Sequence, residues 1–213
     1  MMTKRAIADL HKSYRKWAGE PFSISTFRRD RGDVGKFNSL DILCYRSEDA
    51  DHLRSENEFT FLATAGLSCL ATRAFEPPCE LIWRIAGRRM WEEIQKLSET
   101  LAKIAVFPFY GKGMSFIPGT VLQNLHFPVF EQMHSLLIAH LGIRGEEHLP
   151  ATHPPVSLYW IKPLYDAEVN LLQELGHQEF CATFGLQGID WDNPERSPLR
   201  LPQAMTGGDF RES

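Results

Sequence analysis

The sequence predicts an α+β fold, a single domain in which a mixed or largely antiparallel β-sheet packs with about three main α-helices. Two observations predict it. Short runs rich in β-branched and aromatic residues recur along the chain, and stretches with three- and four-residue apolar spacing stand among them. Their order is too irregular for the regular strand–helix alternation of a doubly wound parallel sheet.

The first helix is expected over 4–18, where Ile7, Leu10, Tyr14 and Trp17 form a narrow stripe and Gly19 and Pro21 end the run. "PFSISTFRR" has strand composition, and "RDRGDVGKFNS" is a charged loop. "LDILCYR" (40–46) is a second strand with Leu40, Ile42 and Cys44 on one face. "SEDADHLRSENE" reads as a solvated turn or short helix. "FTFLATAGLS" alternates Phe59, Phe61 and Ala63 against Thr60, Leu62 and Thr64, and "CELIWRIAG" (79–87) points Leu81, Trp83 and Ile85 inward. In the clearest helix, Trp91, Ile94, Leu97, Leu101 and Ile104 share a face, and Pro108 is read as its stop. Strands are expected near 120–126, at 134–142 and at 156–161, where Pro163 marks the strand exit. A last helix runs from about Asp166 to Gly176, with a possible continuation through "QEFCATF". The domain is drawn as 1–185. Residues 186–213, dominated by proline, glycine and charge, form a tail that is laid on the surface or partly disordered.

A 43% share of hydrophobic residues and 23% charged make a core-forming protein the expectation. The net charge of -4 lacks the basic excess of a nucleic-acid binder. No apolar run approaches the ~20 residues that span a bilayer, and the N-terminus has no secretory h-region. A cytoplasmic protein is therefore expected, with neither nucleic acid nor membrane as partner. Cys44, Cys69, Cys79 and Cys181 form no C-x-x-C pair and read as free thiols, mostly buried.

The search for chemistry yields little. "YGKGMS" does not fit a phosphate loop and reads as a glycine turn. His134, His140, His148 and His153 match no metal-ligand spacing, so neither metal nor cofactor is expected. Ser68 and Cys69 follow a strand but lack a nucleophile elbow. Glu168 falls on the apolar stripe of its helix. With Tyr165 as N-cap, it occupies N3 and is expected to accept from backbone N–H groups near residues 165–166. The remaining feature is acid beside aromatics. Glu48, Asp49 and Asp51, with Asp190, Trp191, Asp192 and Glu195, are the candidate partner-binding residues. The alternative for Trp191 is that it folds back over a sheet edge.

The order of motifs over 58–185 resembles the suppressor of fused family. Gly66 to Ser68 match its glycine-serine turn, Glu80 and Leu81 its "E-L" strand, and Pro163, Leu164, Glu168 and Gly176 its closing strand and helix. The resemblance implies protein binding rather than catalysis. The animal namesake sequesters a transcription factor with this domain and a second, C-terminal one, which this chain is too short to hold. Stand-alone bacterial members resemble immunity proteins of polymorphic toxin systems. The expected function is therefore a non-enzymatic protein-binding module that neutralises a toxin, possible partners including a basic toxin domain. The alternatives are a small hydrolase around Ser68, Cys69 and a loop histidine, a protein-sequestering regulator, and a metal-binding regulator using His148 and His153.

Overall fold

The computed structural model describes residues 4–28, 39–47, 58–69, 78–110, 116–140, 148–150, 152 and 154–200. Seven strands form one sheet in the order β1-β2-β3-β4-β7-β6-β5. They are β1 (Ser23–Arg28), β2 (Ser39–Arg46), β3 (Phe59–Ala65), β4 (Cys79–Ala86), β5 (Val121–Leu122), β6 (Ser135–His140) and β7 (Ser157–Leu164). All neighbours are antiparallel except β4 and β7 at the centre, which run parallel from Cys79↔Ser157 to Ile82↔Trp160. A parallel pair needs a long crossover. Here it includes α2 (Trp91–Tyr110) and the β5–β6 hairpin.

Both faces of the sheet are covered, so its central strands are buried throughout rather than alternately. On one face Leu40, Ile42, Cys44, Leu81, Trp83 and Ile85 meet Ile94, Leu97, Leu101 and Ile104 of α2. Phe127 and Phe130 close around Trp83, with ring centroids 5.7 and 5.8 Å away. On the other face Leu43, Tyr45, Phe61 and Ile82 meet α1 (Lys4–Ala18) through Leu10, Tyr14 and Trp17. That face is completed by α3 (Asp166–Leu175) and α4 (His177–Leu186), through Val169, Leu172, Phe180 and Phe184.

The sheet is thus mixed and mainly antiparallel, with helices packed on it, as the sequence predicts; among the described residues there are four helices. The stretch "QEFCATF" belongs to a separate helix because Gly176, at φ +77°, turns the chain between α3 and α4. Three boundaries also differ. Pro108 lies inside α2, in its last turn, where a missing N–H costs a single intrahelical bond. The strand expected at 120–126 is only Val121–Leu122. Pro163 lies within β7, opposite Leu136, beyond the point where pairing with β4 ends. The segments around Glu48 and "GKGMS" (111–115) lie outside the described residues.

Glu80 explains the glycine-serine turn. Its carboxylate is fully buried on the α1 face and, among the described residues, pairs with no cation. It accepts instead from Thr64 Oγ1 (2.6 Å), Ser68 Oγ (2.6 Å) and the backbone N–H groups of Gly66 (3.1 Å), Leu67 (3.2 Å) and Ser68 (2.9 Å). Burial pushes its pKa up, against the pull of these donors. Gly66 adopts φ +124°, which lets three successive N–H groups converge on one carboxylate. At the same face Asp41 ties α1 to the edge of the sheet, 2.9 Å from His11 Nε2 and 2.8 Å from Thr26 Oγ1. Burial raises the Asp41 pKa, but the hydrogen bonds from His11 and Thr26 and the charges of His11 and Arg28 outweigh it and hold the value low.

Two outcomes follow. Glu80→Gln places an amide N–H₂ among donors and should cost about 2–3 kcal/mol in urea unfolding. Asp41→Asn should cost about 0.5–1 kcal/mol at pH 7, the pair being partly screened by solvent. Because the folded pKa lies below the unfolded one, Asp41's contribution is present above about pH 4 and is lost as the pH falls through the folded value. Unfolding curves of the two chains should therefore converge below that window.

Candidate protein-binding face

Strands β2, β4 and β7 finish, and β1, β3 and β6 begin, at one end of the sheet. Helices α2 and α3 start at the same end. Residues 187–200 lie across it as a strap, held by side chains at three places.

The first is Trp191, which stacks on Phe184 with centroids 3.6 Å apart and meets Phe180 edge-on at 5.9 Å. The second is Asp192. Two residues beyond the Ile82↔Trp160 pair, Arg84 and Lys162 bring two cations onto adjacent strands. Asp192 answers both: it accepts from Lys162 Nζ at 2.6 Å and lies 3.5 Å from Arg84 Nε. Its carbonyl also takes the N–H of Ala86 at 2.8 Å, and Lys162 Nζ sits 4.0 Å from the Trp160 ring centroid. Burial lowers the Lys162 pKa, and Asp192 pulls it back up.

The third is Arg196, buried with Glu168 in a two-pronged pair: Nη1 to Oε1 at 2.6 Å and Nη2 to Oε2 at 2.7 Å. Glu168 also accepts the N–H of Tyr165 (3.0 Å) and of Leu199 (2.7 Å). The first contact is the expected helix cap; the others came from a segment read only as a tail. Arg196 Nη2 donates to the Pro163 carbonyl as well, the Tyr165 hydroxyl donates to the Arg196 carbonyl, and the guanidinium lies near the Tyr165 and Phe184 rings.

The proposed contact residues therefore separate. Asp190 and Glu195 are exposed, Trp191 is half-buried with one face covered, and Asp192 points inward. Asp192 is removed from the surface acids because Arg84 and Lys162 need a counter-charge. Glu48, Asp49 and Asp51 lie outside the described residues, in the connection between β2 and β3.

The other candidates have local roles. The Ser68 hydroxyl donates to Glu80, and burial plus the Glu80 charge push the Cys69 thiol up to about 11, so it stays protonated at neutral pH. None of the four cysteines is bonded to another. His134 and His140 are exposed, His148 lies 3.3 Å from Ser157 Oγ, and His153 is outside the described residues. Among the described residues, no three of His, Cys, Asp and Glu are grouped to hold a metal ion, and no helix is long and apolar enough to cross a membrane.

Arg196→Ala would leave Glu168 buried without its cation and should cost about 3–5 kcal/mol in chemical denaturation. Replacing the pair together, Glu168→Leu with Arg196→Met, should cost less than Arg196→Ala alone.

Comparison with known proteins shows the same fold in solved structures. A protein described as a suppressor of fused homolog of Neisseria gonorrhoeae superposes with a TM-score of 0.56 at 14% identity, over 93% of this chain and 97% of that one. A chain of the Sufu–Fu complex gives 0.58 at 16% identity, over 92% and 91%. Drosophila Suppressor of Fused gives 0.56 at 16%, over 90% of this chain, which spans about half (49%) of its length. No curated protein matches the sequence. The family model for suppressor of fused protein matches residues 36–197, from the approach to β2 through the Arg196 anchor. The chain belongs to the suppressor of fused family.

Proposed function

We propose that the protein is a non-enzymatic protein-binding module of the cytoplasm that neutralises a toxin of a bacterial polymorphic toxin system. The observation that carries this reading is the strap. Its three anchors restrain its backbone against the sheet while Asp190 and Glu195 stay exposed, so a partner meets acidic groups on an already ordered segment. Glu48, Asp49 and Asp51 follow β2 in the sequence and add to its acidic content. A basic toxin domain is the partner this charge favours, through faster encounter more than through tighter contact. Solution of a chain of the same fold as a Sufu–Fu complex supports protein binding as the kind of activity.

The test uses the gene's neighbourhood. A toxin-like product encoded beside this gene is expressed in cells with and without the protein. Survival only in its presence is the expected result, and equal killing in both would refute the toxin-neutralising reading. With Asp190→Lys and Glu195→Lys combined, the association rate should fall by about threefold to tenfold at low salt and less at high salt.

A further inference from the structure

Single exposed apolar side chains are ordinary, but a cluster of them is not. At the strap end three large ones gather: Phe22 (42% exposed), Met90 (73%) and Trp91 (47%). Phe22 and Trp91 are in edge contact with centroids 6.4 Å apart. The Arg46 guanidinium lies over the Phe22 ring at 3.5 Å, and its buried Nε has no partner. Arg46 pairs across the sheet with Thr60, whose hydroxyl oxygen accepts the N–H of Arg89. The bend 87–90 therefore lies beside Arg46, and it brings the exposed Arg88 to the same surface. The strap borders this bend directly, since Ala86 donates to the Asp192 carbonyl.

Among the described residues, no carboxylate pairs with Arg46 or Arg88. Glu93 is taken by the Met90 N–H at 2.9 Å and by Arg89 at 3.8 Å. Exposed Glu58 and Glu92 form no ion pair with either arginine. A guanidinium over an aromatic ring can still present N–H groups to a carboxylate.

We infer that Phe22, Met90, Trp91 and Arg46 form the energetic centre of a protein-docking surface, and that its occupant is a partner segment with an apolar side chain flanked by carboxylates. The apolar group seats on Phe22, Met90 and Trp91, while a carboxylate takes Arg46 with support from Arg88. Aromatic and arginine side chains dominate such centres. This inference rests on the protein-binding reading and is independent of whether the partner is a toxin.

The probe is a capped hexapeptide of sequence Glu-Asp-Leu-Phe-Asp-Glu, titrated into the isotope-labelled full chain and followed through the Trp91 indole N–H signal. Saturable shifts confined to residues around 22, 46 and 88–91 are expected. Affinity should fall at least about tenfold in Trp91→Ala and in Arg46→Gln, the loss typical of a binding centre. Trp91 is exposed and Arg46 half-buried, and unchanged melting temperatures would show that the variants remain folded. Arg46→Lys should bind more weakly than the parent, since an ammonium cannot make the same planar contact. The inference is overturned if no saturable shift appears, or if a peptide with lysines for the acids binds equally well. It is also overturned if wild-type chains self-associate through Trp91. Failure of the peptide leaves toxin neutralisation to its own survival assay, and failure of that assay leaves the peptide result intact.

Discussion

The pair between Glu168 and Arg196 fixes the arrangement of the end of the sheet on which the proposed contacts lie. Glu168 sits in the first turn of α3, and one oxygen closes the start of that helix through the Tyr165 N–H. Arg196 holds both oxygens and also the carbonyl of Pro163, the residue where β7 is about to end. One ion pair thus sets the exit of a central strand, the entry of a helix and the position of a segment 28 residues downstream. A buried pair of this kind gives little net stability over an apolar replacement, but it is costly to break from one side. Its effect here is placement: an apolar pair would fill the space without fixing the direction of the strap backbone.

A second constraint comes from β4 and β7, the only parallel neighbours among the described residues. Parallel strands finish at the same end, so Arg84 and Lys162 approach each other on one face. That face is covered by α1, α3 and α4, which leaves little water to screen them. Asp192 resolves the conflict and makes the strap part of the sheet's electrostatics. The same residue had looked like a surface acid because its neighbours are Trp191 and proline-containing, charged sequence. Cations on two strands become a pair only once the strand order and direction are known, and neither follows from the local sequence.

The same distinction separates what was legible from what was not. Periodicity located α1, the central strands and α2 because each carries an apolar stripe of its own. The position of Glu168 at N3 revealed its bond to the Tyr165 N–H, a contact made within one turn. It did not reveal Arg196, because partners 28 residues apart leave no periodic trace. Glu80 was visible only as part of a motif; its role depends on a turn from the neighbouring strand folding over it. The short β5 and the position of Pro163 inside β7 depend on pairing partners rather than on composition. Local devices could be read directly, whereas charges satisfied across the sheet could not.

The topology also explains why the candidate surface forms where it does. The end of β2, the bend between β4 and α2, the approach to β1 and the strap come from four distant parts of the chain. Antiparallel pairing of β1, β2 and β3 with a β4 that runs parallel to β7 brings all four to one end. Loops on a rigid sheet are where side chains can vary without disturbing a core. The opposite end is occupied in part by the Glu80 turn, whose donors are committed to one carboxylate. A chain with this topology therefore has one end stiffened by the Glu80 turn and another at which exposed aromatic, arginine and acidic groups can be presented together. The proposed recognition by that second end needs no cavity: Asp192 and Glu168 hold the strap in place from beneath, while Asp190 and Glu195 stay exposed.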